Sequence, residues 1–325
     1  MRILVTGGAG YIGSITTRVL LDAGHDCVVL DTLERGHEAA VDARAVLARG
    51  SVGDRRALAE ALAGCDAVMH LAGYIEVAES VAHPDKYFRV NSEEPLVMLE
   101  EMVKQGVSAI VFSSTAAVYG EPKAIPIDEA AETVPLNPYG ASKLAFERSL
   151  QRFESSGIRS LRFRYFNVAG ALPDGSMGEA HEPESHIIPR ILSALRTGQE
   201  RFDVFGGDYP TRDGTCVRDY IHVMDLAQAH RLGLEALVAG GSSGVYNLGN
   251  GQGYSNLEVV RTCAEVSGHS VEVQIGPRRP GDPAVLVASS EKAAAELGWV
   301  ADRGSLEEMV GDAWRWHLEH PAGYR

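Results

Sequence analysis

Cysteine is scarce in this chain: four in 325 residues, with no Cys-x-x-Cys pair among them. Cys27, Cys65, Cys216 and Cys263 are scattered, so neither a disulfide framework nor a zinc site is indicated, and no metal ligands are assigned. Most of them stand in apolar runs and read as small buried hydrophobes. Long hydrophobic runs are also missing. No segment approaches the ~18 apolar residues of a membrane helix, and the start, Met1-Arg2-Ile3-Leu4-Val5-Thr6, is too short an apolar run for a secretory signal. A cytoplasmic protein with no membrane partner is the expectation. Positive charge is in deficit, with 30 Lys and Arg against 44 Asp and Glu and a formal net charge of −14. Such a surface repels phosphodiester backbones and argues against nucleic acid as a partner. An anionic ligand would have to be met by local arginines or helix N-termini.

What is present suits a globular enzyme. Hydrophobic residues make up 45% and charged residues 23% of the chain, enough for a sizeable core. The length allows one large domain, or one large and one small. Short continuous apolar runs at Ile3–Val5, Cys27–Leu30, Ala67–Leu71, Ala109–Phe112 and Leu161–Phe166 suit strands buried on both faces. Helical patterns separate them, near Ile12–Asp22, Arg55–Leu62, Pro95–Lys104 and Tyr139–Glu154. This alternation predicts an α/β fold with a Rossmann-type, doubly wound parallel sheet over residues 1–170. Residues 171–186 are polar and rich in Gly, Pro, His and Glu, and read as a long surface loop. Beyond them, helices near Ile187–Leu195, Asp225–Ala239, Asn256–Val266 and Leu306–Glu319 and strands near Phe202–Phe205 and Val245–Leu248 predict a smaller α/β substrate domain over 171–325. The chain has room to cross back to the first domain.

Two motifs carry chemistry. Gly7-Gly8-Ala9-Gly10-Tyr11-Ile12-Gly13 lies between a predicted strand and a predicted helix. Gly7 permits a tight turn, Gly10 lets backbone approach a pyrophosphate, and Gly13 lets helix and strand pack closely. The helix N-terminus then offers free N–H groups to phosphate. Asp31 ends the second strand, where a carboxylate binds adenosine ribose hydroxyls and repels a 2′-phosphate, favouring NAD over NADP; an Asp there also suits a simple turn cap. Further on, Tyr139 and Lys143 stand four apart, on one helical face. A nearby ammonium would lower the tyrosine's pKa from ~10, making a base for a carbinol proton while hydride leaves to nicotinamide. The strand-end cluster Ser113-Ser114-Thr115 offers a hydroxyl to the same oxygen, or else caps an ordinary turn.

With these motifs in place, the chain resembles the extended short-chain dehydrogenase/reductase family, and within it the UDP-glucose (UDP-galactose) 4-epimerase branch. The likeness runs from Thr6–Gly13 to Trp314-Arg315-Trp316 and Pro321–Tyr324, and is most specific at Ser113–Gly120, Pro138–Lys143, Arg164–Asn167, Phe205–Thr211 and Asp213–Val223. It implies reversible 4-epimerisation of a UDP-hexose with NAD, through a transient 4-keto sugar. Tyr139, Lys143 and Thr115 would be catalytic. Cofactor contacts would come from Gly7, Gly10, Tyr11, Ile12, Gly13, Asp31, Val52, Leu71, Ala72, Asn91, Ser113, Tyr139, Lys143 and Tyr165. Substrate contacts would come from Thr115, Asn167, His186, Ile187, Phe205, Arg218, Tyr220, Arg279 and Asp282, with the two arginines on the pyrophosphate. For Phe205 and Tyr220, core packing is the competing role. A homodimer is implied too, through helices containing Pro95–Lys104 and Leu144–Glu154.

The chain departs from the branch pattern in places. Ser51 stands where an adenine-facing Asp is common, Ile75 where some members carry a cofactor-binding lysine, and Thr115 where many carry serine. Leu286 occupies a position that varies with tolerance for N-acetylated sugars. Ala116 and Ala117 replace the acid–base residues that a 4,6-dehydratase or a decarboxylase would need. The alternatives left are a 4-epimerase of a UDP-pentose or UDP-N-acetylhexosamine, and a non-catalytic NAD-sensing scaffold.

Overall fold

The computed structural model describes residues 1–279 and 281–325. Its first half alternates strand and helix in chain order. β1 (Arg2–Thr6), α1 (Tyr11–Asp22), β2 (Asp26–Asp31), β3 (Val46–Arg49), α2 (Arg55–Leu62) and β4 (Ala67–His70) come first. They are followed by α3 (Val77–Ala82), α4 (Pro84–Phe88), α5 (Glu94–Gln105), β5 (Ala109–Thr115), α6 (Pro138–Phe153) and β6 (Arg159–Tyr165). The second half contains β7 (Asn167–Ala169), α7 (Ile187–Arg196), β8 (Arg201–Phe205), β9 (Val217–His222), α8 (Val223–Val238) and β10 (Gly244–Leu248). It closes with β11 (Gly253–Ser255), α9 (Asn256–Ser267), β12 (Glu272–Gly276), β13 (Val285–Leu286), α10 (Glu291–Leu297) and α11 (Leu306–Glu319).

Seven strands form one sheet in the order β10-β6-β5-β4-β1-β2-β3, every pairing parallel. Side chains alternate across it. Ile3 and Val5 of β1 join Val29, Val111 and Phe163 on one face, packed against Leu226 and Leu234 of α8. Leu4 joins Val28, Val68, Ile110 and Phe112 on the other, packed against Leu58 and Leu62 of α2, Met98 and Leu99 of α5, and Phe146 and Leu150 of α6. Burial on both faces is why β1, β2, β4 and β5 carry continuous apolar runs, while β6 alternates apolar residues with arginines. Around β1 the strand order reverses, and the C-terminal strand ends there open into the crevice where such sheets bind ligands. The second lobe pairs β9 with β7, β11 and β13, and β8 with β12; its core lies among α7, α9 and α11.

Two expectations are corrected. Residues 171–186 carry no regular element but are not a surface loop, because Leu172, Met177 and Glu179 are buried. Leu172 and Met177 plug against Tyr11, Ile15 and Val19 of α1, and the Trp316 indole donates to the Glu179 carbonyl at 3.0 Å. A few apolar side chains inside a polar stretch anchor it. The strand runs read from sequence also omit β3, a four-residue edge strand whose Val46 faces outward. All four cysteines are buried and unpaired. Among the described residues, no helix is long and apolar enough to cross a membrane.

Candidate active site

A cleft of about 1410 Å³ runs from the glycine turn, past the ends of β5 and α6, to the second lobe. That exceeds the roughly 300–1,000 Å³ of a single drug-sized ligand and suits a dinucleotide and a second nucleotide together.

At one end, Gly7 takes φ +74°, a conformation side chains resist, and its N–H donates to the Leu30 carbonyl at 2.9 Å. A Cβ on Gly13 would lie 2.1 Å from the Gly7 carbonyl oxygen, so only glycine lets α1 seat against the turn. Gly10 precedes α1 with no side-chain cap among the described residues, which leaves first-turn N–H groups aimed at the cleft. The Asp31 carboxylate is fixed at the end of β2 by N–H groups of Ala9 (3.0 Å) and Leu33 (2.8 Å). Tyr11, Ile12, Val52, Leu71 and Ala72 line the same end. The Ser51 hydroxyl is already engaged, donating to Glu94 at 2.9 Å and accepting from Gly53 N–H at 3.1 Å. Gly13→Ala should therefore destabilise the fold by roughly 1–3 kcal/mol, the usual cost of overpacking, and empty the cradle. Denaturant titration and the NAD content of purified protein check this; unchanged values in both would show that the turn relaxes to admit a methyl.

In the middle, β5 delivers Ser113, Ser114 and Thr115. The α6 helix is capped by Asn137, which accepts from Gly140 N–H at 2.9 Å, and Pro138 occupies its first turn. Tyr139 in the same first turn and Lys143 one turn later line the cleft. Lys143 is buried and donates to the Ser113 carbonyl at 3.0 Å, with its ammonium 5.0 Å from the Phe112 ring centre. Burial pulls its pKa down to about 8. Ser113 also hydrogen-bonds the Tyr165 hydroxyl. The expectation that Lys143 lowers the Tyr139 pKa is not met. Burial raises the phenol above its ordinary value, and a hydrogen bond from Thr115 opposes that rise only in part. Burial dominates, and the Lys143 ammonium is drawn towards the Ser113 carbonyl.

At the far end, Asn167, His186, Ile187, Phe205, Arg218, Tyr220, Arg279 and Asp282 line the cleft together. Arg218 is ion-paired to Asp282, and the Arg279 guanidinium lies 4.3 Å from the Phe205 ring centre. Phe205 is a half-buried wall, whereas Tyr220 also belongs to the core of the second lobe. Asn91 is the exception among the expected contacts. It lies behind the wall, its amide accepting from Tyr74 N–H at 2.8 Å and donating to the Tyr74 carbonyl (3.0 Å) and Ser142 (3.1 Å). With its hydrogen-bonding groups spent on the protein, it positions the 71–76 segment and does not line the cleft.

Two features escaped the sequence reading. A buried Glu147–Arg164 pair, bonded at 2.6 and 3.0 Å, sits behind the strand-end cluster and takes a hydrogen bond from Ser114. An arginine inside an apolar strand was the signal for it. Glu179, His181, Glu184 and His186 also gather at the cleft wall. Four ligating residues within eight positions were legible, but they include no cysteine and match no standard zinc spacing.

Residues 3–249 match the NAD dependent epimerase/dehydratase family, and the chain belongs to it. Over its full length it is 49% identical to a UDP-glucose 4-epimerase of Halalkalibacterium halodurans, covering 98% of that protein. A crystal structure of a UDP-glucose 4-epimerase superposes with TM-score 0.97 at 45% identity, with both chains fully covered. A second, from Bifidobacterium longum in complex with NAD+ and UDP, gives TM-score 0.93 at 37% identity, covering 99% of this chain and 100% of that one.

Proposed function

We infer that the protein is an NAD-dependent 4-epimerase that reversibly interconverts UDP-galactose and UDP-glucose. Support comes from full-length similarity to UDP-glucose 4-epimerases and from one local observation: Tyr139 and Thr115 share the waist of a cleft with a phosphate cradle at one end and arginines at the other. Bound NAD would supply the hydride acceptor and donor at the sugar C4. Gly7, Gly10, Gly13, the first turn of α1 and Asp31 hold it; Lys143 and Ser113 orient its reactive end. Tyr139 Oη accepts the O4 proton and gives it back, and the Thr115 hydroxyl holds O4 in line with it. Arg218 and Arg279 neutralise the diphosphate, so the 4-keto sugar can turn over without leaving. Arg218 gives up its pair with Asp282 to do so, freeing that carboxylate for the uridine ribose. Ala116 and Ala117 follow Thr115 and can move no proton, so elimination has no acid–base partner there. Leu286 on the cleft wall adds bulk against an acetamido group.

Incubation with UDP-galactose and no added oxidant should bring the two sugars to equilibrium, scored by nuclear magnetic resonance. A folded, NAD-loaded protein that left UDP-galactose unchanged would sink this assignment. The enzyme would act in the cytoplasm as a homodimer through α5 and α6. In the run Leu96–Leu99, Met98 and Leu99 are spent on the sheet core, which leaves Val103 as exposed apolar surface on α5.

A further inference from the structure

Glu179, His181, Glu184 and His186 each contribute a ligand atom to a cluster in which all lie within 4.8 Å of one another. Two imidazole nitrogens converge on a single oxygen: His181 Nδ1 is 3.0 Å and His186 Nδ1 2.5 Å from Glu179 Oε1. Glu184 closes the group, 3.8 Å from His181 Nδ1 and 3.7 Å from His186 Nδ1. A tetrahedral zinc site with bonds of ~2.0–2.2 Å has ligand-to-ligand edges of roughly 3.3–3.6 Å, so small side-chain adjustments would fit the cluster to one ion.

A second observation points the same way. His181 Nδ1 is buried and, although close to a carboxylate, makes no hydrogen bond among the described residues. Its close polar neighbours are the Glu179 and Glu184 carboxylates, and a cation among them would satisfy the ring nitrogen and both carboxylates at once. The outer contacts are already built. The Glu179 backbone is held by the Trp316 indole at 3.0 Å, and Glu184 accepts N–H bonds from Ser185 and His186, each at 2.8 Å. Ser185 in turn donates to Glu76 at 2.7 Å. Such contacts orient metal ligands.

We propose that these four side chains form a mononuclear site for a divalent transition metal of the zinc class. Two carboxylates and two neutral imidazoles balance a dication, and imidazole selects zinc, cobalt or nickel over magnesium and calcium. The metal ties residues 179–186 to one another beside the dinucleotide cradle, where the His181 ring centre lies 6.4 Å from that of Tyr11. It is a structural clamp and takes no part in hydride or proton transfer. His186 becomes a fixed wall of the cleft. Because metal and protons compete for the same nitrogens, affinity rises with pH.

The test uses chelator-treated full-length protein titrated with Co²⁺, then Zn²⁺. Expected are one ion per chain, a cobalt spectrum without thiolate charge transfer, displacement of cobalt by zinc, and a higher Tm with metal. His181→Ala should weaken binding by at least about tenfold, the loss that even outer-shell partners can cause, with metal-free circular dichroism unchanged. Glu179→Gln gives the same result through a second ligand, and the wild-type stoichiometry and spectrum stand whether or not either variant folds. Stoichiometry well below one, a cobalt–thiolate band, or equal affinity in a folded His181→Ala variant would overturn the site.

Discussion

Tyr139→Phe should lower kcat for the interconversion of UDP-galactose and UDP-glucose by roughly 10²–10⁴-fold, the range that a positioned general base contributes. The substitution removes one oxygen and keeps the ring that lines the cleft, so α6 and the cavity keep their shape. Lys143 keeps its bond to the Ser113 carbonyl, and the cradle around Gly7 and Gly13 is untouched. NAD content and KM should therefore change far less than kcat. Thr115 cannot take over as base, because an aliphatic hydroxyl is far too weak an acid to hold a useful population of alkoxide. Lys143→Met offers the contrast: it strips a buried donor from the Ser113 carbonyl and should reduce both cofactor retention and kcat. Single-turnover kinetics, read as NADH absorbance after sugar is added, would separate the two. A Tyr139→Phe enzyme that kept most of its kcat would move the base elsewhere in the cleft.

The fold was legible where one physical cause dominates. Strands buried on both faces are mostly apolar, and β1, β2, β4 and β5 declared themselves that way, whereas β6 alternates Leu161, Phe163 and Tyr165 with Arg162 and Arg164. The glycine turn was legible too, since a Cβ at Gly13 has nowhere to go. The candidate site was legible as a set of residues, because its motifs sit at strand ends and helix starts. What local patterns could not carry were long-range decisions. The strand near Val245–Leu248 reads like any other in the second half, yet β10 pairs with β6 and completes the large sheet. Nothing in its own residues says which edge it joins. Residues 171–186 look solvated by composition, and only the spacing of Leu172 and Met177 against α1 buries them. The Tyr139 pKa went the other way from expectation because the four-residue spacing to Lys143 says nothing of the burial that dominates it.

Glu147→Leu should be the most destabilising single change near the cleft, costing about 3–5 kcal/mol, because it strands a buried cation. Arg164 has a side chain 7% exposed and Glu147 one 4% exposed, so water cannot replace the lost partner. Burial works against the Arg164 charge, and Glu147 more than offsets it, raising its pKa. The pair also carries the catalytic strand end. Ser114 donates to Glu147, and Arg164 donates at 3.1 Å to the Tyr119 hydroxyl, which donates at 2.6 Å to Asn247 of β10. Losing the carboxylate therefore frees Ser114 between Ser113 and Thr115, and kcat should fall along with the denaturation midpoint. Glu147→Leu combined with Arg164→Met removes both charges and should restore much of the stability, since well-packed apolar replacements of buried pairs are often neutral. It should not restore kcat to the same degree, because Ser114 still lacks its acceptor. Denaturant titration and kcat on the single and double variants measure the two effects separately. Equal recovery of both would mean that the pair serves the fold alone, and that β5 holds Thr115 in place by its sheet pairing.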